Sequence, residues 1–129
     1  MFKNKNTEEL EEKIEVSEAV DTSIEVYQLE KPIKINGEVR TELKYDFNAI
    51  TAKDIMQVSR DLKSKGVVVM MAQFDDENLI NLFAKAVGKA DSSVTLNDLM
   101  RLGAKDTFKI TAITRSFFYR EDSADTQEN

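Results

Sequence analysis

A chain of 129 residues, 41% hydrophobic and 33% charged, has the make-up of one globular domain and is long enough to bury roughly two-thirds of its extended surface. Eighteen basic residues against 24 acidic ones leave a formal charge of −6, which opposes non-specific binding to nucleic acid or to an anionic bilayer. Histidine, cysteine and tryptophan are absent, which excludes disulfides, thiolate nucleophiles, imidazole bases and zinc sites built on imidazole or sulfur.

Residues 1–22 carry Lys3, Lys5 and Lys13 against six glutamates and Asp21 and read as an acidic, partly flexible arm. Leu10, Ile14 and Val16 give this arm enough apolar surface to seat a short helix or strand on a partner. Glu8, Glu9, Glu11 and Glu12 stand where a secretory signal needs an apolar run. The longest apolar stretch, Val67 to Ala72, is far shorter than the roughly 20 residues of a spanning helix. A cytoplasmic protein without membrane contact is expected.

From Ile24 to Phe47 the pattern is that of strands. Ile24, Val26 and Gln28 alternate with Glu25, Tyr27 and Leu29 without fixing one face, and Pro32 suits an edge or a bend because it lacks a ladder donor. Asn36-Gly37 then favours a type I′ turn, whose twist matches a hairpin. In the return strand Val39, Thr41, Leu43 and Tyr45 share one face, with Glu38, Arg40, Glu42 and Lys44 on the other. This face needs helices or a second chain to cover it.

Thr51 with Asp54 opens the first helix, whose stripe is Ile55, Val58 or Ser59, and Leu62, widened by Met56. Gly66 suits a left-handed stop. Residues 67–74 are ambiguous, with an extended or irregular path favoured over a buried strand. Asp75 or Asp76 caps a second helix carrying Leu79, Ile80, Leu82, Phe83, Ala86 and Val87, with Gly88 as its stop. Thr95 with Asp98 starts a short helix. After Gly103, Ile110, Ile113 and Phe117 recur at helical spacing beside Phe108, Ala112 and Phe118, while Thr107, Thr111 and Thr114 lower helix propensity. The whole reads as an α+β domain over 23–120. It has an antiparallel hairpin at 24–47 packed on helices near 52–65, 76–87, 96–102 and 104–119, followed by a disordered acidic tail at 121–129.

Chemistry is sparse. Gly88-Lys89 lacks both the upstream glycine and the following Ser or Thr of a phosphate loop. Asp75-Asp76-Glu77-Asn78 fits helix capping better than a hard-cation site, because neighbouring helix residues do not converge. Lys63 and Lys65 beside Gly66 read as a solvated helix end, and Ser59 with Lys63 lacks an oxyanion hole. Tyr27, Tyr45 and Phe47 have too little basic interleaving for a base-stacking platform. No catalytic residue, metal ligand or cofactor is therefore assigned. Phe117-Phe118-Tyr119 stands apart, since three consecutive aromatics circle more than half of a helix end. Either all three pack internally or one of them belongs to a partner groove.

The order of these elements resembles a known family. Leu29-Glu30-Lys31-Pro32-Ile33, the turn at Asn36-Gly37, Glu42-Leu43 and Ile50-Thr51-Ala52-Lys53-Asp54-Ile55 resemble the opening of the small tail assembly chaperones of long-tailed bacteriophages and prophages. Their pattern is L-x-K-P-I, a short polar turn, E-L, then T-x-x-D-L into a helix; Ile55 replaces the common Leu. Leu96 through Asp98-Leu99, then Asp106 and Ile110 through Phe117-Phe118, resemble their C-terminal half. The likeness covers about residues 24–119, and the acidic arm has no counterpart in it.

The resemblance implies a non-enzymatic protein without cofactors. Such a protein acts in the host cytoplasm, binds the tape measure protein and keeps it soluble while tail tube protein polymerises around it, and is absent from the virion. Some members self-associate, and some are extended by a translational frameshift. The family pattern assigns no individual binding residue. From the residues themselves Tyr45, Phe108, Phe117, Phe118 and Tyr119 are the candidate protein-binding positions, with Pro32-Ile33 and the Val39/Leu43/Tyr45 face as the hairpin's packing surface. The alternatives are a small acidic adaptor or regulatory domain without catalytic activity, and a carboxylate-dependent hydrolase needing Mg²⁺.

Overall fold

A computed structural model describes residues 23–120, so both the acidic arm and the acidic tail lie outside the described residues. Two antiparallel strands, β1 (Glu25–Ile35) and β2 (Glu38–Tyr45), precede four helices: α1 (Ala52–Ser64), α2 (Asp76–Ala90), α3 (Leu96–Leu99) and α4 (Ala104–Tyr119). The α+β class and the hairpin-then-helices order agree with the sequence. Short 3-10 turns at Phe47–Ala49 and Ala72–Phe74 join the elements.

The hairpin turns at Asn36 (φ 54°) and Gly37 (φ 83°), the two left-handed positions that a type I′ turn demands. Its register carries one irregularity. Gln28 pairs with Glu42 and Ile33 with Arg40, so residues 29–32 bow out of the ladder. Pro32 falls in this bulge, where its missing N–H costs no ladder bond.

The bulge changes which face is buried. At the base Tyr27 lies opposite Leu43, and both are buried with Tyr45. Beyond the bulge the buried residues are Ile33 and Ile35, opposite Arg40 and Glu38, while Val39 is 64% exposed. The expected continuous face of Val39, Thr41, Leu43 and Tyr45 is therefore corrected to Leu43 and Tyr45 alone. A two-stranded ribbon twists strongly, and a bulge adds twist, so the tip turns its other side inward. Arg40 pairs there with Asp91 at 3.2 Å, and Asn36 Nδ2 donates to the Ser93 carbonyl at 3.2 Å.

The helix signals act as expected, with two exceptions. Thr51 and Asp54 close a capping box on α1, the Thr51 N–H donating to Asp54 Oδ2 at 2.9 Å. Gly66 (φ 78°) ends α1: its N–H donates to the Lys63 carbonyl and that of Val67 to the Leu62 carbonyl, both at 2.9 Å. That pair of bonds is a Schellman motif, and Val67 packs back towards Leu62 as the motif requires. Asp75 caps α2 by accepting from the Asn78 N–H at 2.8 Å. The first exception is Gly88, which does not stop α2. The helix runs on to Ala90, because an isolated glycine lowers helix stability without breaking the ladder. The second is the α1 stripe, where only Val58 and Leu62 are buried. Ile55 and Met56 stay exposed because α1 leans on α2 along one narrow side.

The main core gathers Tyr27, Ile33, Ile35, Leu43, Tyr45 and Phe47 from the hairpin side against Phe83, Ala86 and Val87 of α2 and Ile110 of α4. A smaller cluster holds Val58, Leu62 and Leu82. Phe118 packs against both.

Candidate protein-binding surface

The way α4 sits decides what it shows to solvent. Its buried row is Asp106, Ile110, Thr114 and, partly, Phe118, at successive spacings of four, with Thr111 beside it. The expected stripe of Ile110, Ile113 and Phe117 is thus rotated. The threonines make this possible. Thr107, Thr111 and Thr114 donate their hydroxyls to the carbonyls of Gly103, Phe108 and Ile110 at 2.8, 2.9 and 2.8 Å. A threonine whose hydroxyl is satisfied within its own helix packs like a small apolar residue.

Asp106 fixes the start of α4. It is 1% exposed, and its carboxylate accepts from the Tyr27 hydroxyl (2.7 Å) and the Glu30 N–H (2.8 Å) on Oδ1, and from the Lys31 N–H (3.0 Å) on Oδ2. One side chain thereby satisfies the bulge amides that the ladder leaves over. Burial by itself would raise the Asp106 pKa; the Glu30 and Lys31 amides, the Tyr27 hydroxyl and the Lys109 charge outweigh it and hold it below the usual aspartate range. Lys109 also pairs with Glu30.

With that row inside, the opposite side of α4 presents Phe108, Ala112 and Ser116, while Phe117 lies on the flank that faces Phe47. Phe108 is 66% and Phe117 47% exposed. Phe117 stacks on buried Phe47, centroids 4.9 Å apart, and meets Phe118 edge-on at 4.9 Å. Two shallow depressions flank Ala112 and Ser116. Glu25, Phe47, Ile113 and Phe117 line one. Phe74, Arg115, Tyr119 and Arg120 line the other. Phe74 is 61% exposed, with the Arg115 guanidinium 5.5 Å from its ring centroid and Arg115 Nε donating to the Gln73 carbonyl at 2.8 Å. Asn78 Nδ2 ties the same corner together, donating to the Ala72 carbonyl at 3.1 Å and to the Tyr119 hydroxyl at 3.0 Å.

Of the expected binding positions, Phe117 and Tyr119 line the two depressions, and Phe108 is exposed on the outward side of α4, apart from both. Phe118 is half-buried between the two clusters. Tyr45 is corrected: it is 5% exposed, its ring sits 5.0 and 5.1 Å from those of Phe47 and Phe83, and only its hydroxyl reaches out, donating to Glu25 at 3.1 Å. Burial and the Glu25 charge push its pKa up to about 12.

Sequence reasoning gave the connector between α1 and α2 its irregular path but did not single out its residues as contact surface. Val67 and Val69 turn inward, whereas Val68, Met70 and Met71 lead exposed into Phe74. The available signal was an apolar run with no helical period, closed on both sides by helix punctuation. Exposed methionines are adaptable contact surface.

Two charged groups weighed in the sequence have partners in the structure. Lys89 pairs with Asp54 at 3.0 Å, and Asp75 is occupied as a cap. Among the described residues no group of three or more Asp, Glu, His or Cys side chains could hold a metal ion, and no helix is long and apolar enough to cross a membrane. Comparison of the chain with family models, with curated proteins and with solved structures finds no match.

Proposed function

We propose that this chain is a non-enzymatic tail assembly chaperone of a long-tailed bacteriophage or prophage. In this reading it binds the tape measure protein in the host cytoplasm, keeps it soluble while tail tube protein polymerises, and leaves before the virion is complete. The observation that carries the reading is the outward side of α4, where Phe117 and Phe74 stand on either side of the small residues Ala112 and Ser116, and Phe108 is exposed one turn before Ala112. Aromatic knobs around a low centre suit the apolar stripe of an amphipathic client helix. Lys105, Lys109, Arg115 and Arg120 favour a client with acidic flanks. The hairpin, bulge and capped α1 follow the order of the segments that resemble the family.

Co-production with the tape measure protein tests the reading. The chaperone should keep that protein in the soluble fraction and co-purify with it. F74D/F108D should lose both effects with its own unfolding midpoint little changed, because both rings are more than half exposed. A tape measure protein that is equally soluble with or without the chain refutes the reading. Recovery of a different partner through the same face would favour the adaptor alternative.

A further inference from the structure

We propose that the acidic arm that precedes β1 folds back in cis onto the outward side of α4, seating Leu10, Ile14 and Val16 beside Ala112 and Ser116. Three observations meet here. The first is where the arm leaves the fold. Ser23 is fastened to Asp46 at 2.8 Å, and Glu25, two residues further on, lines the depression that holds Phe117. The first described residues thus stand at the rim of the surface. The second is reach. The 16 residues of α4 span about 24 Å. The eight residues from Ile14 to Asp21 cover roughly 26–29 Å when extended, so Ile14 can arrive anywhere along the helix.

The third is charge. Residues 8–22 hold seven carboxylates and one lysine. Along α4 and its last cap stand Lys105, Lys109, Arg115 and Arg120, and the helix's one carboxylate, Asp106, is buried and occupied by the bulge. Glu25 lines one depression, and Glu30 and Lys109 pair with each other, which leaves Lys105, Arg115 and Arg120 as the cations for the arm. Acidic side chains between apolar ones match a surface on which cations stand between aromatics.

Two other occupants fit less well. The segment 121–129 leaves from Arg120 at the other depression and is also acidic, but it has no large apolar side chain to bury. A second copy must bring up a chain of like charge, −6, whereas the arm is tethered. A short tether supplies an effective concentration on the order of 1 mM, so an intrinsic Kd of about 0.1 mM already gives roughly tenfold occupancy.

The docked arm is also a cover. Any client for this side must displace it, a consequence that, unlike the docking, rests on the client reading above.

The chain has no cysteine, so Ser17→Cys in the full-length protein takes a single nitroxide label. Amide resonances of Ala112, Ser116 and Phe117 should lose most of their intensity, while those of Asn36 to Val39 at the hairpin tip should not. Leu10→Asp, Ile14→Asp and Val16→Asp together should restore the α4 signals, and Arg115→Glu with Arg120→Glu should restore them in part, as should raised salt. Intensity loss elsewhere, no loss, or loss that survives the triple change overturns the docking. So does loss seen only when labelled chain is mixed with isotope-enriched unlabelled chain, which would mean a second copy. In parallel, the triple variant should bind the tape measure protein about tenfold more tightly. Docking without client binding defeats only the client reading, and client binding without docking defeats only this one.

Discussion

Asp106 is the side chain on which the junction of hairpin and α4 depends, and replacing it gives the sharpest test of how the fold is held. Hydrogen bonds to a charged group contribute roughly 1.5–3 kcal/mol each, and donors left unpaired lose that and part of their solvation. Glu30 and Lys31 lie on an exposed bulge, so water re-solvates their amides in part once the carboxylate is gone. Asp106→Ala should therefore cost about 3–4 kcal/mol, a large share of the roughly 5–15 kcal/mol that stabilises a domain of this size. Asp106→Asn is more telling. Its amide oxygen can keep the Tyr27 hydroxyl and the Glu30 N–H, but its NH₂ then faces the Lys31 N–H, donor against donor, at a position now 3.0 Å away. About 2 kcal/mol is expected. Tyr27→Phe removes one donor and leaves Oδ1 still occupied, for about 1 kcal/mol.

Urea unfolding at neutral pH should return the order Ala, Asn, Phe, with faster hydrogen exchange at Lys31 in both Asp106 variants. The acid limb adds a check. The folded pKa of Asp106 is depressed, so its contribution is fully present above the ordinary aspartate value and is lost as pH falls through the lower folded one. The stability gap between parent and Asp106→Asn should consequently close in strong acid. An Asp106→Asn chain within about 0.5 kcal/mol of the parent at neutral pH would refute the reasoning.

Two glycines should respond in opposite senses. Gly66→Ala forces a Cβ into the left-handed region and should lower stability by about 1 kcal/mol, whereas Gly88→Ala, with open space at the Cβ position inside α2, should raise it by about 0.5–1 kcal/mol. Both are read by thermal or urea midpoints. Phe83→Ala, which empties a fully buried site touching the rings of Tyr45 and Phe47, should cost about 3–5 kcal/mol in the same assay. At the alkaline end, the neutral phenol of Tyr45 contributes stability that is present below its ordinary value and lost as pH rises through about 12. An ultraviolet titration followed alongside circular dichroism should show its phenolate emerging as the fold opens; ionisation at the ordinary phenol value in a still-folded chain would contradict that environment.

The elements were legible because each carries its own punctuation. Asn36-Gly37, Thr51 with Asp54, and Gly66 act through local backbone preferences that hold whatever surrounds them. What was not legible depends on distance. The buried side of the hairpin switches because residues 29–32 leave the ladder, and what holds them out is a carboxylate more than seventy residues along the chain. No window on the strand alone contains that information. The phase of α4 was hidden for a related reason. Apolar periodicity pointed to Ile113 and Phe117, but the inward row includes an aspartate and a threonine that count as polar until their partners are known. Tyr45 was misplaced by the same limit, because whether an aromatic packs or presents depends on what lies opposite, here Phe47 and Phe83.

The rotation of α4 and the exposure of its aromatics are one fact. Consecutive helix residues point about 100° apart, so at most one of Phe117, Phe118 and Tyr119 can aim directly at the core. Asp106 settles which. Its bonds to the bulge set the helix phase at the N-terminus, and steps of four carry that phase through Ile110 and Thr114 to Phe118, which wedges between the two clusters. Phe117 is then left on one flank and Tyr119 on the other, with Phe108 turned outward as well. Shifting the helix to bury Phe117 would pull Asp106 away from three donors and turn Thr114 out of the core. The apolar surface offered to solvent is therefore not slack in the packing but the geometric counterpart of the contact that joins hairpin to helix. It follows that weakening that contact should disturb the surface too. In the Asp106→Asn chain, Phe108 and Phe117 should change their solvent accessibility together, and a variant in which the bulge amides exchange freely while both rings stay as they are would break the link.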